Sequence, residues 1–445
     1  MNQNNNTCSG SQDQDMAVLW AEQIKAIFPT DLDESAKTAG ALIRKRGVKS
    51  ALDLLKLLLI CAVSTMSMRM LTLSAISLKM ADISDTAVRK RLIKSITWLT
   101  LVLNTMLPRP TQKKGKPRVN RVVHLVDGSN IVKAGKDGEA YRIHMSYNLN
   151  IGSMDEVKVT DKHTAEGFAH YSIQAGDIYI ADTGYGKAKM YEYVTKRGGD
   201  AVFRCTPNHI KLEDLNGNPI EMVNKLDKEK QVVDFKCFVI NDKKKTLARI
   251  VASQLPEDKK ADSIKRKKKQ ASKEQTKQIR PETLIYAEWV IILTSLDDAY
   301  SAEEVLAIYR SRWQVELLFK RIKQHFKITK IRPCSAKYGE ALVLLWLIIW
   351  ALVEKQAYLA EIHLYEKGAS MDRFSPWMFT SYFFEKQKTM IESQWAILLD
   401  PIVDIKAIME KLQDHKRHDR LNQYFEYRYN FSYERNESHD SSWAA

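Results

Sequence analysis

The chain has 445 residues, 44% of them hydrophobic, with a net charge of +15 and a pI near 9.3. That length is too great for one simple core and implies about two to four domains. The apolar share excludes a chain that is disordered as a whole. Cations spread along the whole sequence favour a nucleic acid over a membrane surface as partner.

The opening stretch MNQNNNTCSGSQDQD (1–15) is polar, has no apolar h-region, and reads as a disordered tail rather than a signal peptide. The five cysteines (Cys8, Cys61, Cys205, Cys237, Cys334) lie far apart and form no C-x-x-C pair. A disulfide framework or zinc site is therefore not expected, and a reducing cytoplasm is the natural compartment.

From 16 to 118 the pattern is helical, and it ends in the breaker-rich basic linker PRPTQKKGKPRVNR (108–121). Within it, LTLSAISLKMADISDTAVRKRLIKSITWLTLVL resembles a helix-turn-helix. One helix ends near Lys79, and Ser84 or Asp85 caps the next. Val88, Leu92, Ile96 and Leu99 fall at helical spacing toward a core, which leaves Thr86, Arg89 and Lys90 facing outward. That outer face suits a DNA groove, but it also suits a plain amphipathic helix with a solvated basic side.

The period then changes. Over 119–205, RVVHLVDGSNI, EAYRIHMSYNLN and EVKVTD read as successive strands. GDIYIADTGYGKAKMYEYVTKRGGDAVFRC follows as a strand–helix–strand unit on a mixed sheet. Segment 206–282 reads as an inserted β-rich module with a basic arm, IKRKKKQASKEQTKQIR, that is either a solvated loop or a contact for the DNA backbone. The core resumes over 283–335 with the strand WVIILTS and one long helix. Segment 336–445 is helical and is expected to contribute to dimerisation. Its apolar run ALVLLWLIIWALV (341–353) has 13 residues, whereas a membrane span needs about 20, so it reads as a buried helix.

Three carboxylates stand where a catalytic site would place them. Asp127 follows the apolar strand VVHLV, and Asp182 follows IYIA. Ligand sites of α/β sheets gather at such strand exits, although an acid there can equally form a turn or cap a helix. The third is Glu316, in AIYRSRWQVELLFKRIKQHF (307–326). At 100° per residue, positions 309, 312, 316 and 323 of one continuous helix lie at roughly 0°, 300°, 340° and 320°, an arc of about 60°. Ile308, Val315, Leu318, Phe319 and Ile322 occupy the neighbouring, inward sector. An ordinary i, i+4 salt bridge would account for Arg312 and Glu316 but not for Tyr309 or Lys323. In TDKHTAEGF, His163 and Glu166 read as part of a hydrogen-bonded loop rather than as ligands. Gly184 and Gly186 make no phosphate loop, because no G-K-[ST] follows them.

Tyr309, Arg312, Glu316 and Lys323 have the spacing Y-x2-R-x3-E-x6-K, which is similar to the YREK signature of the insertion-sequence-four family of bacterial DDE transposases. The resemblance extends to LVDGS around Asp127, GDIYIADTGYG around Asp182 and WVIILTS, and so covers most of 120–330. It departs at Thr183, where family members often carry an arginine. The resemblance implies a ribonuclease H-like mixed-sheet core with a strand-rich insertion, flanked here by N- and C-terminal helical domains. It also implies that Asp127, Asp182 and Glu316 hold two divalent ions, Mg2+ with Mn2+ as a substitute. Hard cations of this kind suit carboxylate oxygen. Tyr309, Arg312 and Lys323 would then contact DNA phosphate, Trp289 would stack on a base unless it is core, and Arg89 and Lys90 would add further DNA contacts. The implied partners are the terminal inverted repeats, the target DNA and a second copy of the chain, with no membrane. Two other readings are a metal-dependent nuclease of the same fold and a non-catalytic DNA-binding protein derived from a transposase.

Overall fold

The computed structural model describes residues 31–392 except 65, 78–79, 108–120, 133–138, 227–228, 274–278, 327–334 and 367–374. The polar tail, the basic linker, Cys8, Cys334 and the last stretch of the C-terminal region lie outside the described residues.

Five helices come first: α1 (Leu32–Thr38), α2 (Ala51–Val63), α3 (Met68–Ser77), α4 (Asp85–Lys94) and α5 (Ile96–Met106). Ser50 caps α2 by accepting from the Asp53 amide, and Ser84 caps α4 by accepting from Ala87. The second helix of the helix-turn-helix is shorter than expected. The chain breaks at Ser95, whose hydroxyl turns back to donate to the Arg91 carbonyl at 2.8 Å. Val88, Leu92 and Leu99 are fully buried, while Thr86, Arg89 and Lys90 are exposed.

Nine strands then form a single mixed sheet in the order β3-β2-β1-β4-β5-β9-β8-β7-β6. They are β1 (Val123–Val132), β2 (Glu139–Asn148), β3 (Ser153–Asp161), β4 (Ile178–Ala181), β5 (Asp200–Arg204), β6 (Lys211–Glu213), β7 (Val232–Asn241), β8 (Lys244–Gln254) and β9 (Trp289–Thr294). β1 runs parallel to β4, and β4 runs parallel to β5; the other neighbours are antiparallel. The strand-rich segment that reads as an inserted module thus continues the core sheet, since β8 pairs directly with β9. Its β7–β8 hairpin closes through Asp242 and Lys243, both at positive φ, as a two-residue turn between twisted strands requires. The first ten residues of the basic arm, 264–273, lie in helix α8 (Glu257–Lys273), and 274–278 lie outside the described residues.

Alternation along the strands builds a core on each face. Leu125, Ile178, Ile180, Val202, Val251 and Ile292 face one way. They pack with the N-terminal helices, α10 (Ala302–Arg310), α11 (Trp313–Phe326) and α12 (Ala336–Glu366). Val126, Tyr179, Ala181, Phe203, Ile250 and Leu293 face the other way, toward Phe168 and α6 (Ala188–Thr195). A strand covered on both sides is uniformly apolar, and all four residues of IYIA are buried. The short helices α7 (Met222–Lys225) and α9 (Pro281–Ala287) and the terminal α13 (Pro376–Glu392) complete the described elements.

The run 341–353 lies within α12. That helix is long and apolar enough to cross a membrane, yet its residues Leu342 to Leu345 and Leu347 to Val353 are at most 6% exposed inside the fold. The N- and C-terminal helices share one core, so they are not separate layers. Residues 341–353 are covered within their own chain.

Candidate active site

The register of the parallel strands builds the site. β1 and β4 pair as far as Val126 opposite Ala181, so the next residues out, Asp127 and Asp182, leave the sheet side by side. β4 and β5 pair as far as Ala181 opposite Phe203, which sets Arg204 beside Asp182 on its other flank. Asp127 is not at a strand end, because β1 continues to Val132 against β2. It is the parallel pairing that ends there.

The third acid arrives from a broken helix. The single helix expected over 307–326 is two, α10 and α11, separated at Ser311 and Arg312. Ser311 Oγ donates to the Ile308 carbonyl at 2.7 Å. The amides of Arg312, Gln314 and Val315 each bond three residues back rather than four, tightening the chain into a 3-10-like turn. Ile308, Val315, Leu318, Phe319 and Ile322 are buried as their spacing implies.

Arg312 sits at that break and links the parts. Its Nη2 donates to Glu316 Oε1 at 2.6 Å, its Nε donates to Tyr309 Oη at 3.1 Å, and its Nη1 lies 3.7 Å from Asp182 Oδ2. Tyr309 Oη donates in turn to Asp182 Oδ1 at 3.3 Å, and Thr183 Oγ1 reaches the same oxygen at 3.3 Å. The position at which the chain departs from the YREK family therefore supports the second acid.

The two aspartates differ in electrostatics. Burial pushes the Asp127 carboxyl up to about 6, with Glu166 and Asp182 adding to the effect and the Gly128 amide and Arg312 opposing it. Burial also acts to raise Asp182, but Arg312, the Thr183 amide and Arg204 outweigh it and hold that carboxyl below its ordinary value. Burial lifts the Tyr309 phenol to about 12, so it stays a neutral donor. Burial works against the charge on Arg312, yet Tyr309, Asp182 and Glu316 together stabilise that charge beyond its ordinary strength.

The family model described as Transposase DDE domain matches residues 106–352. The chain belongs to the DDE transposase family. It is 30% identical over 335 residues to InsL, the transposase ascribed to insertion sequence element IS186A in Escherichia coli strain K12, covering 73% of this chain and 90% of that protein. It is also 30% identical over 336 residues to the transposase for insertion sequence element IS421 of Escherichia coli, with the same coverage. A more distant match, 24% identical over 216 residues, is the transposase for insertion sequence element IS231F of Bacillus thuringiensis subsp. israelensis, covering 43% of this chain and 44% of that one. The protein is thus an insertion-sequence DNA transposase of a family that acts on DNA and in which divalent-metal use is general.

Within this transposase the sequence-derived residues fare unequally. Asp127, Asp182, Glu316, Tyr309 and Arg312 form one connected group. Among the described residues no three acids, histidines or cysteines stand close enough to hold a metal ion as they are arranged, and Glu316 is engaged by Arg312. Lys323 is half-buried farther along α11 and forms no ion pair with these acids. Trp289 is only 1% exposed and belongs to the core with Ile291 and Leu293, so no base can stack on its ring in this arrangement. Its edge does line a cavity of about 320 Å³ shared with Thr183, Arg204, Arg266 and Tyr286. Arg89 is exposed, but its guanidinium lies 5.6 Å from the Tyr338 ring centroid, which ties α4 to α12; Lys90 is exposed.

Sequence reasoning passed over Arg204. The signal is available, because it follows the apolar run AVF in the next parallel strand, just as each Asp follows its own apolar run. Glu166 reads in the sequence as a loop residue, yet its carboxylate lies against Gly128, next to Asp127, and Gly184, two residues beyond Asp182.

Proposed function

We propose that this transposase cuts DNA at the terminal inverted repeats of its own insertion sequence and joins those ends to a target, working as a dimer that holds two ends. The reading rests on one observation above all: the Val126–Ala181 register that sets Asp127 beside Asp182, with Arg312 linking Asp182 to Glu316. The strand order β3-β2-β1-β4-β5, antiparallel and then parallel, supports a ribonuclease H-like core.

The donor set fits a hard divalent cation. It is all carboxylate oxygen, and the Asp127 carboxyl is raised chiefly by burial, with Asp182 adding to the effect. Asp127, Asp182 and Glu316 would hold two Mg2+ ions, or Mn2+ in their place. Bound there, the ions supply an activated water or hydroxyl nucleophile and stabilisation of the leaving oxygen. The chain's own residues do the rest. Tyr309 and Thr183 orient Asp182 by hydrogen bonds. Arg312 supplies a planar fork for a phosphate oxygen once its grip on Glu316 is exchanged. Lys323, Lys90 and the basic helix α8 supply backbone contacts.

The test is cleavage of a duplex carrying the element's end sequence. Asp127→Ala, Asp182→Ala and Glu316→Ala should each abolish Mg2+-dependent nicking while end binding in a gel-shift assay stays near wild type. Near wild-type nicking by any of the three would remove that residue from the site.

A further inference from the structure

A fourth carboxylate stands at the same place. A methyl group built on Gly128 would lie 2.8 Å from Glu166 Oε1, and one built on Gly184 would lie 2.9 Å from Oε2. Real Cβ atoms essentially never approach so closely. The absence of side chains at these two positions therefore makes room for the Glu166 carboxylate, between the residue after Asp127 and the second residue after Asp182.

The loop that carries it is built to hold it there. Asp161 Oδ1 accepts from the amides of His163 and Thr164 at 2.8 and 2.9 Å. Arg142 donates from Nη1 to the Thr164 carbonyl at 2.9 Å and from Nε to Asn130 at 2.8 Å, tying the loop to β1 and β2. His170 contacts the Ala165 carbonyl through Nε2 at 2.9 Å and stacks on the fully buried His144, with ring centroids 3.9 Å apart. Phe168 is completely buried. Residues on both sides of Glu166 are thus pinned, whereas its own carboxylate has no hydrogen bond or ion pair among the described residues. That carboxylate is half-buried and close enough to Asp127 to act on that acid, a placement that suits a shared cation.

We propose that Glu166 is a fourth carboxylate donor of the acid site, helping Asp127 and Asp182 to hold a divalent cation. This rests on the reading of Asp127 and Asp182 as metal donors. Its side chain keeps three torsions that no bond restrains, so its oxygens can turn toward a neighbouring ion. With Glu166 turned toward Asp127 and Asp182, the site would number three carboxylates even while Glu316 is engaged by Arg312.

Mn2+ binding to the full chain, followed by the loss of the free-ion electron paramagnetic resonance signal, tests this without reference to catalysis. Glu166→Gln is close to isosteric and should weaken Mn2+ affinity by about 10- to 100-fold, with an unchanged circular dichroism spectrum. Glu166→Asp keeps the charge but withdraws the oxygens by one methylene, and it should also weaken binding. Wild-type affinity in Glu166→Asp with a loss in Glu166→Gln would overturn the proposal, since only the field of the charge would then matter. Wild-type affinity in both, with binding lost in Asp127→Asn, would overturn it while leaving the aspartate pair intact. Unchanged affinity in Asp127→Asn as well would sink the metal reading of the aspartates and the proposal with it.

Discussion

His124 is a buried cation beneath the active strands, and its removal has a calculable effect. It is 4% exposed, with Nδ1 2.9 Å from Asp155 and Nε2 3.0 Å from Asp177, and its ring stacks on Tyr179 at 4.8 Å. Burial alone would lower its pKa, but the two carboxylates overcome this and raise it from 6.5 to about 9. At 1.36 kcal/mol per tenfold change in proton affinity, that difference corresponds to about 3 kcal/mol. The sign follows from the proton count. Below pH 6.5 folded and unfolded chains both hold the proton, so the stabilisation is complete. Between 6.5 and about 9 only the folded chain keeps it, so stability falls as pH rises, and above about 9 the contribution is gone. Urea unfolding of wild type and His124→Gln at several pH values isolates the effect. Wild type should exceed the variant by about 3 kcal/mol more at pH 6 than at pH 9.5. A difference that stays flat across that range would refute the reasoning, because it would mean that His124 is neutral in the folded chain.

Arg312→Lys should cost strand transfer more than tenfold while leaving end binding within about twofold, because a point charge cannot serve Glu316, Tyr309 and Asp182 together. Unchanged transfer would leave Arg312 as only a structural partner of Glu316, Tyr309 and Asp182. Neutralising Lys265, Arg266, Lys267, Lys268 and Lys269 on α8 should weaken binding to end and random DNA alike and flatten the salt dependence, which filter binding between low and high salt reads directly. Thr86→Ala with Lys90→Ala should instead weaken binding to the end sequence more than to random duplex; equal losses would reduce α4 to a basic face. Lys323→Ala should lower strand transfer more than end affinity, measured on the same duplex.

Much of the site was legible because it rests on local rules. VVHLV and IYIA are largely apolar runs, and the acid directly after each marks where the parallel pairing of β1 and β4 ends. Ser84 before an amphipathic run marks a cap, and Ser84 does cap α4. What escaped depends on distant parts of the chain. Strands β6 to β8 are recognisable by their alternation, but period two says nothing about which edge they join, and β9 lies far along the sequence. Trp289 reads as either surface or core until its alternation with Ile291 and Leu293 is assigned to a covered face. Glu166 sits in a polar loop, and nothing in TDKHTAEGF indicates that two glycines elsewhere leave room for it.

The break at Ser311 changes what the YREK spacing means physically. An arc of about 60° on a continuous helix would make all four residues equivalent members of one stripe. In the folded chain, Tyr309 lies in the last turn of α10, Arg312 occupies the break, and only Glu316 and Lys323 share α11. Tyr309 and Arg312 converge on Asp182 because the tightened turn lets Arg312 reach back to Tyr309 and forward to Glu316 at once. Lys323 lies seven residues beyond Glu316, about 10 Å along the helix axis. That separation takes it away from the acids. On the function proposed above, the signature would serve two tasks at different distances from the reacting bond: a tightly coupled Tyr–Arg–Glu unit at the acids, and Lys323 as a cation for a more distant phosphate of the DNA.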